Sequence, residues 1–142
     1  MAAQYWKKGD YTCSTDKTKL QIEIIHHFLS EMSYWAKGRT IEKIKISIEN
    51  SVCFGIYKKD KLVGFARVIS DFTIYGYILD VFVLEDERGN GLGKWLMHCI
   101  MNHPKLMDVQ RWMLGTEDAH GLYEKYGFTS LKNAQIHMEK VT

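Results

Sequence analysis

The stretch Val81-Phe82-Val83-Leu84-Glu85-Asp86-Glu87-Arg88-Gly89-Asn90-Gly91-Leu92-Gly93-Lys94 decides how the rest of the chain reads. An apolar, β-type run enters an acidic turn, and three glycines follow at alternate positions. Beyond them Trp95, Leu96, Cys99 and Ile100 recur at helical spacing up to His103, and Pro104 ends the helix. A strand that feeds a helix through glycines presents successive backbone N–H groups at the helix N-terminus. Those donors and the positive end of the helix dipole suit a phosphate. Glycine adds no Cβ between that backbone and a pyrophosphate. Two familiar phosphate loops fail on spacing. The pattern is G-x-G-x-G, not the dinucleotide G-x-G-x-x-G, and counted from Gly89 it lacks the second glycine and the Ser/Thr of a P-loop. A tight strand-to-helix turn with no ligand is the alternative reading.

Toward the N-terminus the period is two. Val52–Lys58, Leu62–Asp71 and Ile74–Leu84 read as strands rich in Val, Ile, Phe and Tyr, with a turn at Lys59-Asp60-Lys61, and so predict an antiparallel meander. Upstream, Thr40 caps a helix carrying Ile41, Ile44 and Ile48, although Ile44-Lys45-Ile46-Ser47-Ile48 also alternates like a strand. Residues 17–32 place Leu20, Ile24, Ile25, Phe28, Leu29 and Met32 at helical spacing after the capping run Ser14-Thr15-Asp16. Gln4–Cys13 reads as a first strand. Toward the C-terminus, Gln110–Gly115 is a short strand, and Asp118–Tyr126 a short helix closed by Gly127. The tail Phe128–Lys140 reads as one or two end strands. These elements predict a single α/β (α+β) domain over residues 1–142.

Composition narrows the function. At 142 residues, 46% hydrophobic and 25% charged, the chain is globular. Nineteen Lys and Arg against 17 Asp and Glu are too mild an excess for a nucleic-acid partner. No apolar run is long enough to span a membrane. The three cysteines, Cys13, Cys53 and Cys99, form no CxxC pair and read as core residues in a cytoplasmic protein. The histidines have no ligand spacing, and no metal is expected.

Arg88-Gly89-Asn90-Gly91-Leu92-Gly93 resembles the R/Q-x-x-G-x-G/A motif of the GNAT superfamily of acyl-CoA-dependent N-acyltransferases. Ala119-His120-Gly121-Leu122-Tyr123-Glu124-Lys125-Tyr126-Gly127-Phe128 is similar to the family's A-x-x-L-Y-x-K-x-G-F segment. The motifs stand in the family's order, about 35 residues apart. The order of elements agrees across nearly the whole chain. The resemblance implies a mixed, mostly antiparallel sheet with helices on both faces and acetyl-CoA held where two central strands splay apart. It also implies that the pantetheine arm pairs with the backbone of Val81, Phe82 and Val83. Arg88 and the N–H groups of Gly89, Asn90, Gly91, Leu92, Gly93 and Lys94 would bind the pyrophosphate. Tyr123 maps to the general acid that protonates the departing CoA sulfur. A phenol near pKa 10 can do that for a thiol near 8.5 only when well placed.

The sequence departs from the family in places. Glu85 stands where proline is usual. Thr116 replaces an asparagine that contacts pantetheine, and Arg111 stands where some members carry a glutamate base. Asp80, inside the run Tyr77-Ile78-Leu79-Asp80-Val81, is a tentative base or a structural carboxylate. Asp71, Glu117, Asp118, His120 and a water relay are other proton acceptors. For the amine acceptor, the resemblance points to Ser33-Tyr34-Trp35-Ala36-Lys37-Gly38-Arg39. There Tyr34, Trp35 and Arg39 suit a small ligand with an apolar part, and Trp112 would also line the cleft. The expected activity is acetyl transfer from acetyl-CoA to a primary amine within a ternary complex. A non-catalytic acyl-CoA sensor module is the rival reading, and a nucleotide-binding domain a third. A homodimer through an edge strand in the tail is a further expectation.

Overall fold

Alternating Val, Ile, Phe and Tyr from Val52 onward build the middle of a six-stranded sheet in the computed structural model, which describes residues Met1–Thr142. The strands β1 (Tyr5–Lys8), β2 (Tyr11–Ser14), β3 (Val52–Lys58), β4 (Lys61–Ser70), β5 (Tyr75–Val83) and β6 (Arg111–Leu114) lie side by side in chain order. All neighbours are antiparallel except β5 and β6, which run parallel. Four helices complete the fold: α1 (Ile22–His27), α2 (Ile41–Glu49), α3 (Leu92–Met101) and α4 (His120–Glu124). Ile25, Leu29 and Ile44 of the first two helical segments pack with Phe65 and Phe82 on one face of the sheet. Leu96, Cys99 and Ile100 of α3 pack with Phe54, Val63 and Val68 on the other. The expected mixed sheet with helices on both faces is therefore the fold.

Three expectations need correction, and one open alternative is decided for the helix. Gln4–Cys13 is not one strand: it turns at Gly9 (φ +58°) and becomes the β1–β2 hairpin. Residues 17–32 are not one helix. A single turn at Lys17–Lys19 precedes α1, and Phe28–Met32 widens into a π-type turn in which Ser33 N–H reaches Phe28 O at 2.9 Å. The buried Ser33 hydroxyl ends that turn by donating to Leu29 O at 2.6 Å and accepting from Ala36 N–H at 3.1 Å. Isoleucine alternation at 44–48 does not win, because Thr40 caps α2 through Lys43 N–H and Ile44 and Ile48 share its buried side. The tail forms no strand. It holds one short turn at Ala134–Ile136, and residues 129–142 are all exposed. No edge strand is available there for a dimer.

The feature that positions the site lies in β5. Its register against β4 shifts between Phe65 and Arg67, because Asp80 adopts φ +54° and inserts an extra residue. Pairing with β6 stops at Ile78 and Leu114. Beyond that point β5 continues to Val83 paired with β4 alone, leaving an opening on its other side, between its free edge and the end of β6. Leu84 donates its N–H to Val63 O at 2.8 Å, on the β4 side. By strand alternation the main-chain groups of Phe82 also face β4, and those of Val81 and Val83 face the opening.

Candidate active site

The glycine loop follows directly on the end of β5 and leads into α3. Gly89 and Gly91 hold left-handed conformations, at φ +85° and +71°, that a side chain would strain. Trp95 N–H bonds Gly91 O and starts the helix, but none of the six N–H groups from Gly89 to Lys94 donates to a protein acceptor. They form a row of unspent donors at the positive end of α3, with which a pyrophosphate is chemically compatible. Arg88, beside that row, is held by its Nε, and its two Nη groups bond no protein acceptor. Its Nε donates to Val83 O at 3.2 Å, so of the Val83 polar groups only the N–H stays free toward the opening. The Asn90 amide donates to Glu87 O and to the Tyr11 hydroxyl, at 3.1 and 3.3 Å, and braces the loop. Lys94 N–H belongs to the row, and its carbonyl accepts from the Tyr126 hydroxyl at 2.7 Å, joining α3 to the segment after α4.

Sequence reasoning missed Lys8. Its ammonium lies 3.4 Å from where a Cβ on Gly91 would sit, and it has no ion-pair partner. The hairpin carrying it is held to the loop by the Tyr11 hydroxyl, which donates to Glu87 Oε1 at 2.8 Å, and by the Lys58–Glu87 ion pair at 3.4 Å. Only tertiary structure brings Lys8 beside a loop some 80 residues away in sequence.

The opening holds a cavity of about 520 Å³. Tyr34, Trp35, Arg39, Asp80, Val81, Thr116 and Tyr123 all line it; Trp112 does not. The Trp112 ring instead covers Gly76, where a Cβ would meet it at 2.7 Å, and lines a neighbouring cavity of about 770 Å³ that Thr116 and Tyr123 also border. Asp80 is 5% exposed, and both its oxygens are taken. Oδ1 accepts from Trp35 Nε1 at 3.0 Å. Oδ2 accepts from Arg39 Nη1 at 2.8 Å and Arg67 Nε at 2.9 Å. Arg67, equally buried, gives a further bond to the Ser51 hydroxyl at 3.1 Å. The carboxylate that breaks the apolar run of β5 is thus the anchor of the segment before α2. Across the cavity, Glu117 N–H donates to the Tyr34 hydroxyl at 3.0 Å and ties that segment to the loop after β6.

Tyr123 sits in the wall at 7% exposure, at the end of α4, and its hydroxyl bonds no protein group. Burial, followed by the charges of Tyr34 and Asp118, holds its phenol above the ordinary value of 10.0, so it stays protonated across the neutral range. Thr116 Oγ1 accepts from Ala119 N–H at 3.1 Å, and its own proton is still available toward the cavity. Glu117 and Asp118 are exposed at the mouth, and His120 is exposed at the neighbouring cavity.

Comparison with known proteins follows this geometry. The profile of the acetyltransferase (GNAT) family matches residues 22–128. A Gibberella zeae protein whose name places it provisionally among the acetyltransferases is 31% identical, over 95% of this chain and 92% of its own. A crystal structure from Xanthomonas campestris, assigned provisionally to the GNAT acetyltransferases, shares 43% identity with a TM-score of 0.90 and covers 93% of each chain. A GNAT acetyltransferase from Elizabethkingia anophelis, solved with acetyl-CoA bound, superposes at TM-score 0.64 over 86% of this chain and 78% of its own, with 18% identity, a likeness of fold alone. With its splayed strands, glycine loop and motif order, the chain belongs to the GNAT family of acetyltransferases and is an acyltransferase enzyme.

Proposed function

We propose that this chain is one GNAT-type domain that moves an acetyl group from acetyl-CoA to the primary amine of a small acceptor within a ternary complex. The observation that carries the reading is a pair of features flanking the free edge of β5. Six unspent N–H donors follow the end of that strand, and a buried, unbonded phenol lines the cavity beside it. The donor row and Lys8 would hold the pyrophosphate. Val81 and the Val83 N–H would pair with the pantetheine arm, and the Thr116 hydroxyl offers one more donor. Acetyl-CoA supplies an activated thioester. The amine nitrogen bonds to the carbonyl carbon, the carbon–sulfur bond breaks, Tyr123 gives its proton to the departing sulfur, and the proton that the nitrogen sheds as the amide forms returns through solvent to the Tyr123 phenolate. A main-chain N–H near Val81 polarises the carbonyl oxygen.

Asp80 acts as the structural carboxylate in this reading. An oxygen already holding a tryptophan N–H or two guanidiniums is a poor proton acceptor. The ammonium of the acceptor loses its proton to solvent at the open mouth, beside Glu117 and Asp118. The open acceptor end, next to a free acid, favours an enzyme over a sensor that only binds acyl-CoA. Calorimetric titration with acetyl-CoA, with ATP and NADH as controls, tests the reading. Micromolar binding of acetyl-CoA alone, about −8 kcal/mol, is expected. Silence toward acetyl-CoA, or equal binding of the nucleotides, would overturn it.

A further inference from the structure

The acceptor cavity is electrically lopsided. At its inner end two guanidiniums, Arg39 and Arg67, face the single carboxylate of Asp80, leaving one positive charge over. Arg67 is spent, with its bonds going to Asp80 and Ser51. Arg39 is not. Only its Nη1 is engaged, Nε and Nη2 bond no protein group, and its side chain is 25% exposed on the cavity wall. Three bonds to Asp80, from Trp35, Arg39 and Arg67, fix this end, so the free face of the guanidinium is pre-oriented. The rim of the same cavity has the other sign. Glu117 and Asp118 stand at the rim next to Tyr123, with no cation paired to either. Aromatic rings of Tyr34, Trp35 and Tyr77 line the same cavity.

A simple alkylamine would leave the Arg39 charge facing nothing, and a polyamine would be repelled by it. A molecule that carries an ammonium and a carboxylate on one small frame offers a partner to both charges. Guanidinium forks recognise carboxylates in a way ammonium groups do not. We propose that the acceptor is a small aminocarboxylate, an amino acid in chemical class, whose carboxylate docks on the free face of Arg39 while its amine lies beside Tyr123. The proposal rests on the acetyl-transfer reading above and adds to it the class of acceptor.

The test is free-thiol release from acetyl-CoA with the twenty standard amino acids, each set against its decarboxylated amine and its carboxamide, and with a short peptide presenting the same N-terminal residue. At least one amino acid should exceed its decarboxylated and amidated partners in kcat/KM by about 10- to 100-fold, the range that one charge-assisted contact supplies. In Arg39→Gln that ratio should fall to within about threefold of one, mainly through the KM of the acid. Arg39→Lys keeps the charge and the pairing with Asp80 and should retain part of the ratio, which keeps the test usable if the glutamine variant unfolds. The proposal is overturned if decarboxylated amines, carboxamides or the peptide do as well as the acids. It is equally overturned if the ratio survives in folded Arg39→Gln, or if no amino acid turns over in protein that binds acetyl-CoA. Failure to bind acetyl-CoA would instead remove the acetyl-transfer reading itself.

Discussion

Asp80 shows how much one residue can settle. Its sequence context marks it as anomalous, because a carboxylate inside an apolar strand must find partners. What it does was not legible, since its three partners come from β4 and the segment before α2 and since φ +54° follows no sequence rule for aspartate in a strand. Removing the charge leaves two guanidiniums facing one another. Asp80→Asn should therefore cost about 3 kcal/mol, the usual scale for breaking a buried pair, and move the urea midpoint down by about 1.5 M. A midpoint within 0.3 M of the parent, taking about 2 kcal/mol per M as the slope, would show that the cluster holds nothing. Tyr123 is the opposite case: its motif announced it, and the structure adds its burial and its free hydroxyl. As the acid, Tyr123→Phe should lower kcat by about 100-fold or more with acetyl-CoA affinity unchanged. Because its phenol lies above 10, the parent's rate should show no alkaline decline from this group below that pH. Full activity in Tyr123→Phe would remove the acid from the scheme.

Among the elements, those with strong periodicity were legible and those defined by a partner were not. The three strands between Val52 and Val83 have observed bounds within a residue or two of the expected ones: β5 alternates, while β3 and β4 are β-branched and aromatic runs buried on both faces. The β1–β2 hairpin was missed because its turn, Gly9-Asp10, is short and its strands are only four residues each. The tail alternates too, with Ala134, Ile136 and Met138 two apart, yet alternation is only a capacity, and no strand lies beside it. At the glycine loop the motif identified the N–H row, while Lys8 arrives from a distant hairpin. Both contributions can be separated by titration. Lys8→Ala should weaken acetyl-CoA binding several-fold, with most of that loss disappearing at 0.5 M salt, where charges are screened. Gly91→Ala forces a side chain into the left-handed region, at about 1 kcal/mol, and brings its Cβ to 3.4 Å from the Lys8 ammonium. It should weaken binding about tenfold at every salt concentration. If Lys8→Ala leaves the affinity unchanged at low salt, the hairpin has no part in the anion site.

Across the whole molecule, the sheet carries a separate apolar cluster on each face, and stability depends on groups that no motif marks. His103 is one. The sequence showed only that a helix stops there; the fold buries the ring to 1% exposure against Trp6 and Phe54. Its Nδ1 accepts from Lys105 N–H at 3.1 Å, so the proton sits on Nε2, which has no partner. Burial, with a smaller push from Lys105, lowers its pKa below the ordinary 6.5. The folded chain therefore keeps this ring neutral while the unfolded chain takes up a proton near pH 6.5. Between the lowered value and 6.5 the unfolded state binds more protons, so stability is complete above that window and falls as pH drops through it. The urea midpoint should decline between pH 7.5 and pH 5. In His103→Phe, which fills the space without a titrating nitrogen, the baseline stability will differ but the decline over that range should flatten. Asp71, held to about 2 by three backbone N–H groups, titrates too far below pH 5 to mimic the effect. An equal decline in parent and variant would assign the pH dependence to other groups and leave His103 as packing alone.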